Sequence, residues 1–143
     1  MKGWALDAST ALAWALPDER SEIADGFFER IETDEVLVPA LFWYEVTNAV
    51  AVARRRARMT PADGDRLLHL LSLLPLRTDA GVGQSSMAPI GNIARANRLS
   101  AYDAAYLELA ARRGLGLATL DERLASAARG MGIELFGALA AEP

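Results

Sequence analysis

The chain contains no cysteine and only one histidine, His69, among its 143 residues. The absence of cysteine excludes disulfides, zinc held by thiolates and a cysteine nucleophile. A single histidine excludes a histidine-rich metal site and leaves any Ser-His-Asp triad with one candidate base. A metal ion in this protein would therefore be bound mainly by oxygen ligands.

Long apolar runs are also absent, since no stretch approaches the ~20 residues that a membrane span requires. Asp7 falls where a signal peptide would need unbroken apolar residues, so we expect a cytoplasmic protein without a membrane segment. A chain of 143 residues, 52% of them hydrophobic, is large and apolar enough to build a core without disulfides. We predict one domain over residues 1–137 and a frayed tail over residues 138–143.

Lysine is nearly missing, because 14 of the 15 basic residues are arginine. Arginine suits phosphate recognition, since its planar fork bonds two oxygens at once, but a GC-rich genome would produce the same bias. The net charge of −4 argues only weakly against nucleic-acid binding, because a metal bound among carboxylates would offset part of it. Charge alone decides nothing about the substrate.

Short apolar runs alternate with longer helical ones, which is typical of an α/β fold with a parallel sheet. The predicted strands are residues 3–7, 36–38, 76–78, 117–119 and 133–136. The predicted helices are residues 10–16, 19–32, 40–57, 61–74, 88–98, 101–113 and 121–129. Because ligands bind at the carboxyl edge of such sheets, residues that follow a strand are candidates for a site.

Four acidic residues interrupt segments that are otherwise apolar or tightly turned: Asp7, Glu45, Asp103 and Asp121. Carboxylates in such places are costly unless a cation meets them. Two unit charges about 4 Å apart repel by ~4 kcal/mol at an effective dielectric near 20. A cluster of the four would raise its own pKa values or disrupt the fold unless cations bind.

Helix capping is the competing explanation for three of these acids. Asp7 precedes a helix, although Ser9 and Thr10 are better placed to cap it. Ser100 and Asp103 have the spacing of a capping box, and the helix dipole favours an acid in the first turn. The sequence around Asp121 predicts a capping box between Thr119 and Glu122, which would leave the Asp121 carboxylate without a structural role.

Glu45 is the only charged residue between Val36 and Ala53. No lysine or arginine within one helical turn can pair with it. The alternative is a helix that turns Glu45 to solvent and buries Trp43, Val46, Val50 and Ala53 instead. If Glu45 faces a metal, Asn48 lies one turn along the helix and would support the carboxylate.

If the fold gathers these acids, an all-oxygen ligand set favours Mg²⁺, or alternatively Mn²⁺, over zinc. Such ions activate water and stabilise the developing charge of a phosphate during in-line displacement. A phosphodiester is therefore the substrate class that this chemistry predicts.

Four segments, in this order and spacing, resemble the PIN domain family, and within it the VapC-like ribonuclease toxins of type II toxin–antitoxin pairs. They are Leu-Asp-Ala-Ser at 6–9, Val-Pro-x-Leu-x-x-x-Glu-x-x-Asn at 38–48, Leu-Ser-x-Tyr-Asp-Ala-x-Tyr-Leu at 99–107 and Leu-Ala-Thr-Leu-Asp at 117–121. The resemblance implies a three-layer α/β/α fold around a parallel sheet of four to five short strands. It also implies a Mg²⁺-dependent endoribonuclease.

The resemblance further implies roles for individual residues and partners. Asp7 and Asp103 would be the main metal ligands, and Glu45 and Asp121 would complete a catalytic acidic pocket. Ser9 and Thr119 would be auxiliary hydrogen-bonding residues. The expected partners are an RNA substrate, a second copy of the chain in a homodimer, and a small VapB-like antitoxin that blocks the pocket, often with an arginine.

Two other functions remain open from the sequence. One is a catalytically silent PIN-like module that binds RNA or a protein. The other is a phosphatase with Asp7 as nucleophile, which lacks the second aspartate two residues further on. The role of four basic residues is equally open, since they would contact RNA phosphates or form a solvated helix end: Arg54, Arg55, Arg56 and Arg58. The aromatic run 42–44 is predicted to pack in the core and at a dimer interface.

Overall fold

A parallel sheet of four strands forms the centre of the computed structural model, which describes residues 2–137. The predicted tail, residues 138–143, lies outside the described residues. The strands are β1 (Gly3–Leu6), β2 (Glu35–Pro39), β3 (Arg77–Asp79) and β4 (Gly116–Ala118). Their order is β3-β2-β1-β4, with Trp4 of β1 opposite Val36 on one side and Gly116 on the other. The predicted α/β fold with a parallel sheet is confirmed.

Seven α-helices connect and cover these strands in the described part of the chain. No helix among residues 2–137 is long and apolar enough to cross a membrane. Short 3₁₀ turns occupy Pro17–Glu19 and Gln84–Ser86. The helices are α1 (Ala8–Ala15), α2 (Glu22–Arg30), α3 (Ala40–Arg55), α4 (Pro61–Ser72), α5 (Met87–Asn97), α6 (Ala101–Arg113) and α7 (Glu122–Gly130).

Two predicted elements differ from the structure. The helix predicted over residues 19–32 starts later, because Ser21 accepts a hydrogen bond from the backbone N–H of Ala24 and begins α2 at Glu22. The strand predicted over residues 133–136 is wrong, since only Leu135 forms a bridge there, to Leu117 of β4. The chain passes the edge of the sheet without extending it.

Both faces of the sheet are covered. Successive residues of β1, Trp4, Ala5 and Leu6, are all buried although their side chains point to alternate faces. A strand buried in this way needs helices on both sides, as in other parallel sheets. On one face the ring of Trp4 meets Phe27 of α2 and Phe136 edge-on, at centroid distances of 6.2 and 5.4 Å.

The strand order creates a crevice between the ends of β1 and β4. The chain moves from β1 to β2 and β3 in one direction, and β4 then pairs with the other side of β1. At such a reversal, the connections leave the carboxyl edge in opposite directions and open a ligand site. The backbone N–H of Asp7 donates to the carbonyl of Ala118 at 3.1 Å, so the two strand ends lie side by side.

Candidate active site

Asp7 begins helix α1 at the carboxyl end of β1. Its backbone is extended (φ −90°, ψ 151°), and Oδ1 accepts from the N–H of Ser9 at 2.8 Å. The prediction that Ser9 or Thr10 caps this helix was wrong, since Asp7 itself is the cap. The carboxyl group is buried, and this burial is the main reason that its pKa is raised.

Two hydroxyl groups hold the second oxygen of Asp7. Ser9 Oγ donates to Oδ2 at 3.0 Å, and Thr119 Oγ1 donates to the same atom. The hydroxyls also accept from the turn after β4: Leu120 N–H donates to Ser9 Oγ and Asp121 N–H to Thr119 Oγ1, each at 3.0 Å. These contacts fix the turn that carries Asp121 directly against Asp7.

Asp121 begins helix α7. Its Oδ1 accepts from the backbone N–H groups of Arg123 and Leu124, at 2.9 and 3.2 Å. The predicted capping box between Thr119 and Glu122 was therefore wrong, because the hydroxyl of Thr119 is directed to Asp7. Asp121 still contributes to the site through its charge, which raises the pKa of both Asp7 and Asp103.

Asp103 lies in the first turn of α6. Ser100 caps this helix and accepts from the backbone N–H of Asp103 at 3.1 Å, which forms the predicted half of a capping box. Burial raises the pKa of the Asp103 carboxyl group, and the charge of Asp121 raises it further. The positive charge of Arg123 lowers the pKa of the same carboxyl group.

Glu45 lies on α3 and is half-buried. The apolar face of the helix, which includes Val46 and Val50, is buried as the alternative arrangement required, yet Glu45 is not turned fully to solvent. The phenol of Tyr106 donates to Glu45 Oε1 at 2.5 Å. Burial raises the pKa of Glu45, with smaller contributions in the same direction from Asp7 and Asp103. Asn48 is exposed.

The four acids come from four different elements and influence one another at one edge of the sheet. The charge of Asp121 raises the pKa of Asp7 and of Asp103. The charges of Asp7 and Asp103 raise the pKa of Glu45. Across residues 2–137, none of the four forms a salt bridge. The fold thus places negative charges together without a cationic partner from the described chain.

The donor chemistry fits a hard divalent cation, although no three acidic or histidine side chains between residues 2 and 137 converge as a ligand group for a metal ion. Mg²⁺ dehydrates reluctantly and is usually held by one or two carboxylates together with waters and substrate phosphates. The site therefore fits an ion that keeps part of its water shell, and it does not fit one that needs a cage made of protein ligands alone.

Two residues near the acids were not found from the sequence. Tyr106 stands in the quoted segment 99–107 but was given no role, because its partner Glu45 is 61 positions away; its place three residues after Asp103 puts both on one face of α6. Arg123 was missed because it follows a helix cap and belongs to no motif. Its guanidinium donates to the carbonyl of Arg98 at 2.6 Å.

Three solved structures are similar to this fold over nearly the whole length of the chain. PAE2754 from Pyrobaculum aerophilum is 26% identical with a TM-score of 0.68, covering 99% of this chain and 91% of that one. VapBC2 from Rickettsia felis, bound to a DNA fragment from the promoter, is 10% identical with a TM-score of 0.61, covering 93% of this chain and 96% of that one. FitAcB from Neisseria gonorrhoeae is 18% identical with a TM-score of 0.59, covering 94% of this chain and 96% of that one. At such identities, the last two show the fold alone.

Sequence comparison provides the family. No curated protein matches the chain. The family model described as the PIN domain matches residues 5–130, which include all four acids and the segments between them. The predicted resemblance is therefore confirmed at the level of the family, and the chain belongs to the PIN domain family.

Proposed function

We propose that this protein is a Mg²⁺-dependent endoribonuclease toxin of the VapC-like type. The observation that carries this proposal is the group of four carboxylates at the carboxyl edge of a PIN-domain sheet, none of which forms a salt bridge within residues 2–137. Maintaining mutually repelling carboxylates costs stability unless a cation is bound in the working protein. A metal-dependent nuclease would need these carboxylates to bind its cation.

Asp7 and Asp103 are the proposed metal ligands. Asp7 is held rigidly by its cap and two hydroxyls, and Asp103 is fixed in the first turn of α6. A bound Mg²⁺ would supply an activated water and neutralise charge on the scissile phosphate. Glu45 keeps one oxygen, Oε2, without a hydrogen-bond partner in residues 2–137, and this oxygen would orient the attacking water. Asp121 would add negative charge that favours cation binding.

Arg123 is the proposed contact for RNA phosphate. It is exposed in the first turn of α7, two residues after Asp121, and its charge lowers the pKa of Asp103, so it lies at the rim of the acidic pocket. The arginine run is a weaker candidate, because Arg54 pairs with Asp65 at 2.5 Å and Arg58 with Asp18 at 2.6 Å. Nine residues of helix at ~1.5 Å each also separate Arg54 from Glu45 by roughly 14 Å.

We propose a small VapB-like antitoxin as the physiological inhibitor. The names of two structural neighbours, VapBC2 and FitAcB, support this proposal. An arginine from the antitoxin would neutralise the pocket that Mg²⁺ occupies during cleavage, because a guanidinium forms strong, often bidentate hydrogen bonds with carboxylates. Such a toxin would act in the cytoplasm.

A homodimer is proposed on an apolar groove of about 520 Å³ between α3, α5 and α6. Tyr44, Met87 and Tyr102 line it and are 77%, 71% and 66% exposed, and its lining contains no charged residue. That lining would not match RNA phosphates or an antitoxin arginine, but it suits a second copy of itself. Met87→Asp would yield monomers in light scattering. Leu73→Asp, at an exposed apolar site outside the groove, would not.

The decisive experiment for the proposed function measures cleavage of total RNA by purified protein, with mapped cleavage ends. We expect cleavage with Mg²⁺ or Mn²⁺, none with EDTA, and none by Asp7→Asn. Asparagine retains the helix cap but removes the charge, so this variant stays folded. Cleavage by Asp7→Asn equal to that of the parent would overturn the site, and metal-free RNA binding without cleavage would favour the silent module.

A further inference from the structure

Tyr106 is buried to 1% exposure in the middle of α6, yet it carries a hydroxyl group. Burying a hydroxyl costs free energy unless it finds a partner. Phe27 and Phe42 fill comparable core positions at 0% exposure without a hydroxyl. The phenol of Tyr106 therefore needs an explanation beyond packing, and its hydrogen bond to Glu45 provides one.

The bond joins two helices that carry acids of the site. Tyr106 lies three residues after Asp103, on the same face of α6, and reaches across to Glu45 on α3. The two partners are 61 residues apart in sequence. The distance between the carboxylates of Glu45 and Asp103 thus depends on this contact and on the packing of two helices.

We propose that Tyr106 is a positioning residue that holds Glu45 by one carboxylate oxygen and leaves the other free for the metal-bound water shell. This inference rests on the metal site of the proposed function, and its effect on catalysis rests in addition on the nuclease activity. No other donor contacts Glu45 among residues 2–137, so the phenol is the single polar contact that fixes this carboxylate.

Tyr106 is suited to hold the carboxylate rather than to exchange protons with substrate. Burial, together with the charges of Glu45 and Asp7, raises the pKa of the phenol well above its ordinary range. The hydroxyl therefore stays protonated and remains a donor wherever the protein is folded. A hydrogen bond from a permanent donor to a carboxylate is also of the stronger, charge-assisted type.

The test is a double-mutant cycle that uses Mn²⁺ binding as the readout, monitored by electron paramagnetic resonance on the full chain. Tyr106→Phe removes only the hydroxyl, and Glu45→Ala removes the carboxylate that it holds. Partners that orient metal-site carboxylates contribute about tenfold or more to metal affinity. We expect Tyr106→Phe to weaken Mn²⁺ binding about tenfold in the parent, and by less than about twofold in the Glu45→Ala background.

Thr47→Val is the matched control on α3. It also deletes one hydroxyl, whose only hydrogen bond within residues 2–137 goes to the carbonyl of Trp43 on an exposed part of the helix. We expect parent-like Mn²⁺ affinity from this variant. Equal Mn²⁺ affinity in Tyr106→Phe and the parent would overturn the proposal, as would the same loss in both backgrounds of the cycle.

RNA cleavage provides a separate outcome. If the proposed function holds, Tyr106→Phe lowers kcat by roughly 10–100-fold and changes KM little, because the phenol contacts no substrate. A parent that binds Mn²⁺ but cuts no RNA would refute the nuclease, while the metal-binding cycle would still decide the role of Tyr106.

Discussion

Two groups of carboxylates lie at the same edge of the sheet and have opposite surroundings. Asp79 ends β3, and its oxygens meet Arg112 at 2.6 Å and Arg113 at 3.3 Å. Arg112 also pairs with buried Glu108 at 2.8 Å. The site group, Asp7, Glu45, Asp103 and Asp121, has no such partner in residues 2–137. We refer to the first group as the paired cluster and to the second as the unpaired cluster.

The pKa values follow the partners rather than the position in the fold. The hydrogen bond from Arg112 is the main cause that lowers the pKa of Asp79. Burial is the main cause that raises the pKa of Asp7, Glu45 and Asp103, none of which forms a salt bridge within residues 2–137. A strand end is therefore not enough to mark a functional acid. The informative feature is a buried carboxylate that the chain leaves without a cation.

The paired cluster also holds a loop in place. Asp79 Oδ2 also accepts from the N–H of Gly81 at 3.3 Å, and Ser86 Oγ bonds to the carbonyl of Gly81 and the N–H of Gly83. The arginines thus fix the loop between β3 and α5. Helix α6 carries Asp103 at its start and Glu108, Arg112 and Arg113 further along, so one helix serves both clusters.

Exchanging one acid for its amide in each cluster gives the largest expected contrast. Asp103→Asn lowers the RNA cleavage rate by about 10²–10³-fold, because several kcal/mol of charge stabilisation depend on the metal. Asp79→Asn leaves the rate of the folded protein unchanged but destabilises it by about 2 kcal/mol, because it weakens hydrogen bonds between charged groups. Cleavage assays and urea unfolding separate these effects. Equal loss of activity in both variants would show that the two clusters are not functionally distinct.

Removing a cation from the paired cluster gives the next largest effect. Within residues 2–137, Arg112→Ala leaves buried Asp79 with Arg113 alone and buried Glu108 without a salt bridge, and we expect a loss of about 3 kcal/mol in the free energy of unfolding. Arg20→Ala is the control, since its pair with Asp25 is exposed and contributes less than about 1 kcal/mol. Urea unfolding measures both. A loss no greater than that of the control would mean that the paired cluster adds nothing to stability.

Adding a cation to the unpaired cluster is expected to raise the free energy of unfolding by an amount similar to the loss expected for Arg112→Ala. Mg²⁺ at about 100 times its Kd raises the free energy of unfolding by about 2.7 kcal/mol if it binds only the folded state. Thermal unfolding with and without Mg²⁺ measures this gain. The gain disappears in an Asp7→Asn/Asp103→Asn double variant and persists in Asp79→Asn. A gain that persists in the double variant would place the ion elsewhere.

The sequence predicted where the acids lie but not what each one contacts. Asp7, Asp103 and Asp121 follow strands or begin helices, and such boundaries have local signals in the chain. Which residue caps a helix depends on the conformation of one residue and on competing partners. Thr119 illustrates this limit, because its hydroxyl bonds to Asp7, 112 residues away, instead of capping α7.

Contacts between distant segments explain the other differences. The bond between Tyr106 and Glu45 depends on how α6 and α3 are both placed against β2, which neither motif contains. The apolar pattern predicted a helix at 88–98, and α5 occupies Met87–Asn97, yet none of its residues is buried. Periodicity predicts that a helix has an apolar face, but the partner of that face is decided by tertiary or quaternary packing.

The two clusters also predict opposite pH dependences of stability without metal. The pKa of Asp79 is lowered from its ordinary value of 3.8, so its contribution is present above that pH and is lost as the pH falls through the folded-state pKa. The pKa of Glu45 is raised from 4.5, so ionisation above that pH destabilises the fold. At neutral pH, Asp79→Asn is therefore less stable than the parent and Glu45→Gln more stable. Urea unfolding down to acid pH should show both differences shrinking, and a Glu45→Gln variant less stable than the parent at neutral pH would contradict the assignment.

The smallest expected effect concerns Arg123, which is the one cation in residues 2–137 whose charge shifts the pKa of an acid in the unpaired cluster. Removing one phosphate contact to single-stranded RNA reduces the slope of log affinity against log salt by about 0.7. We expect Arg123→Ala to show that reduction together with weaker RNA binding at low salt, because its guanidinium lies at the rim of the unpaired cluster. Arg20→Ala, whose guanidinium already pairs with Asp25, is the matched control and should keep the slope of the parent. Fluorescence anisotropy with a labelled single-stranded RNA and the inactive Asp103→Asn background measures binding without cleavage. An unchanged slope in Arg123→Ala would assign phosphate binding to other arginines and leave the acidic pocket to the metal alone.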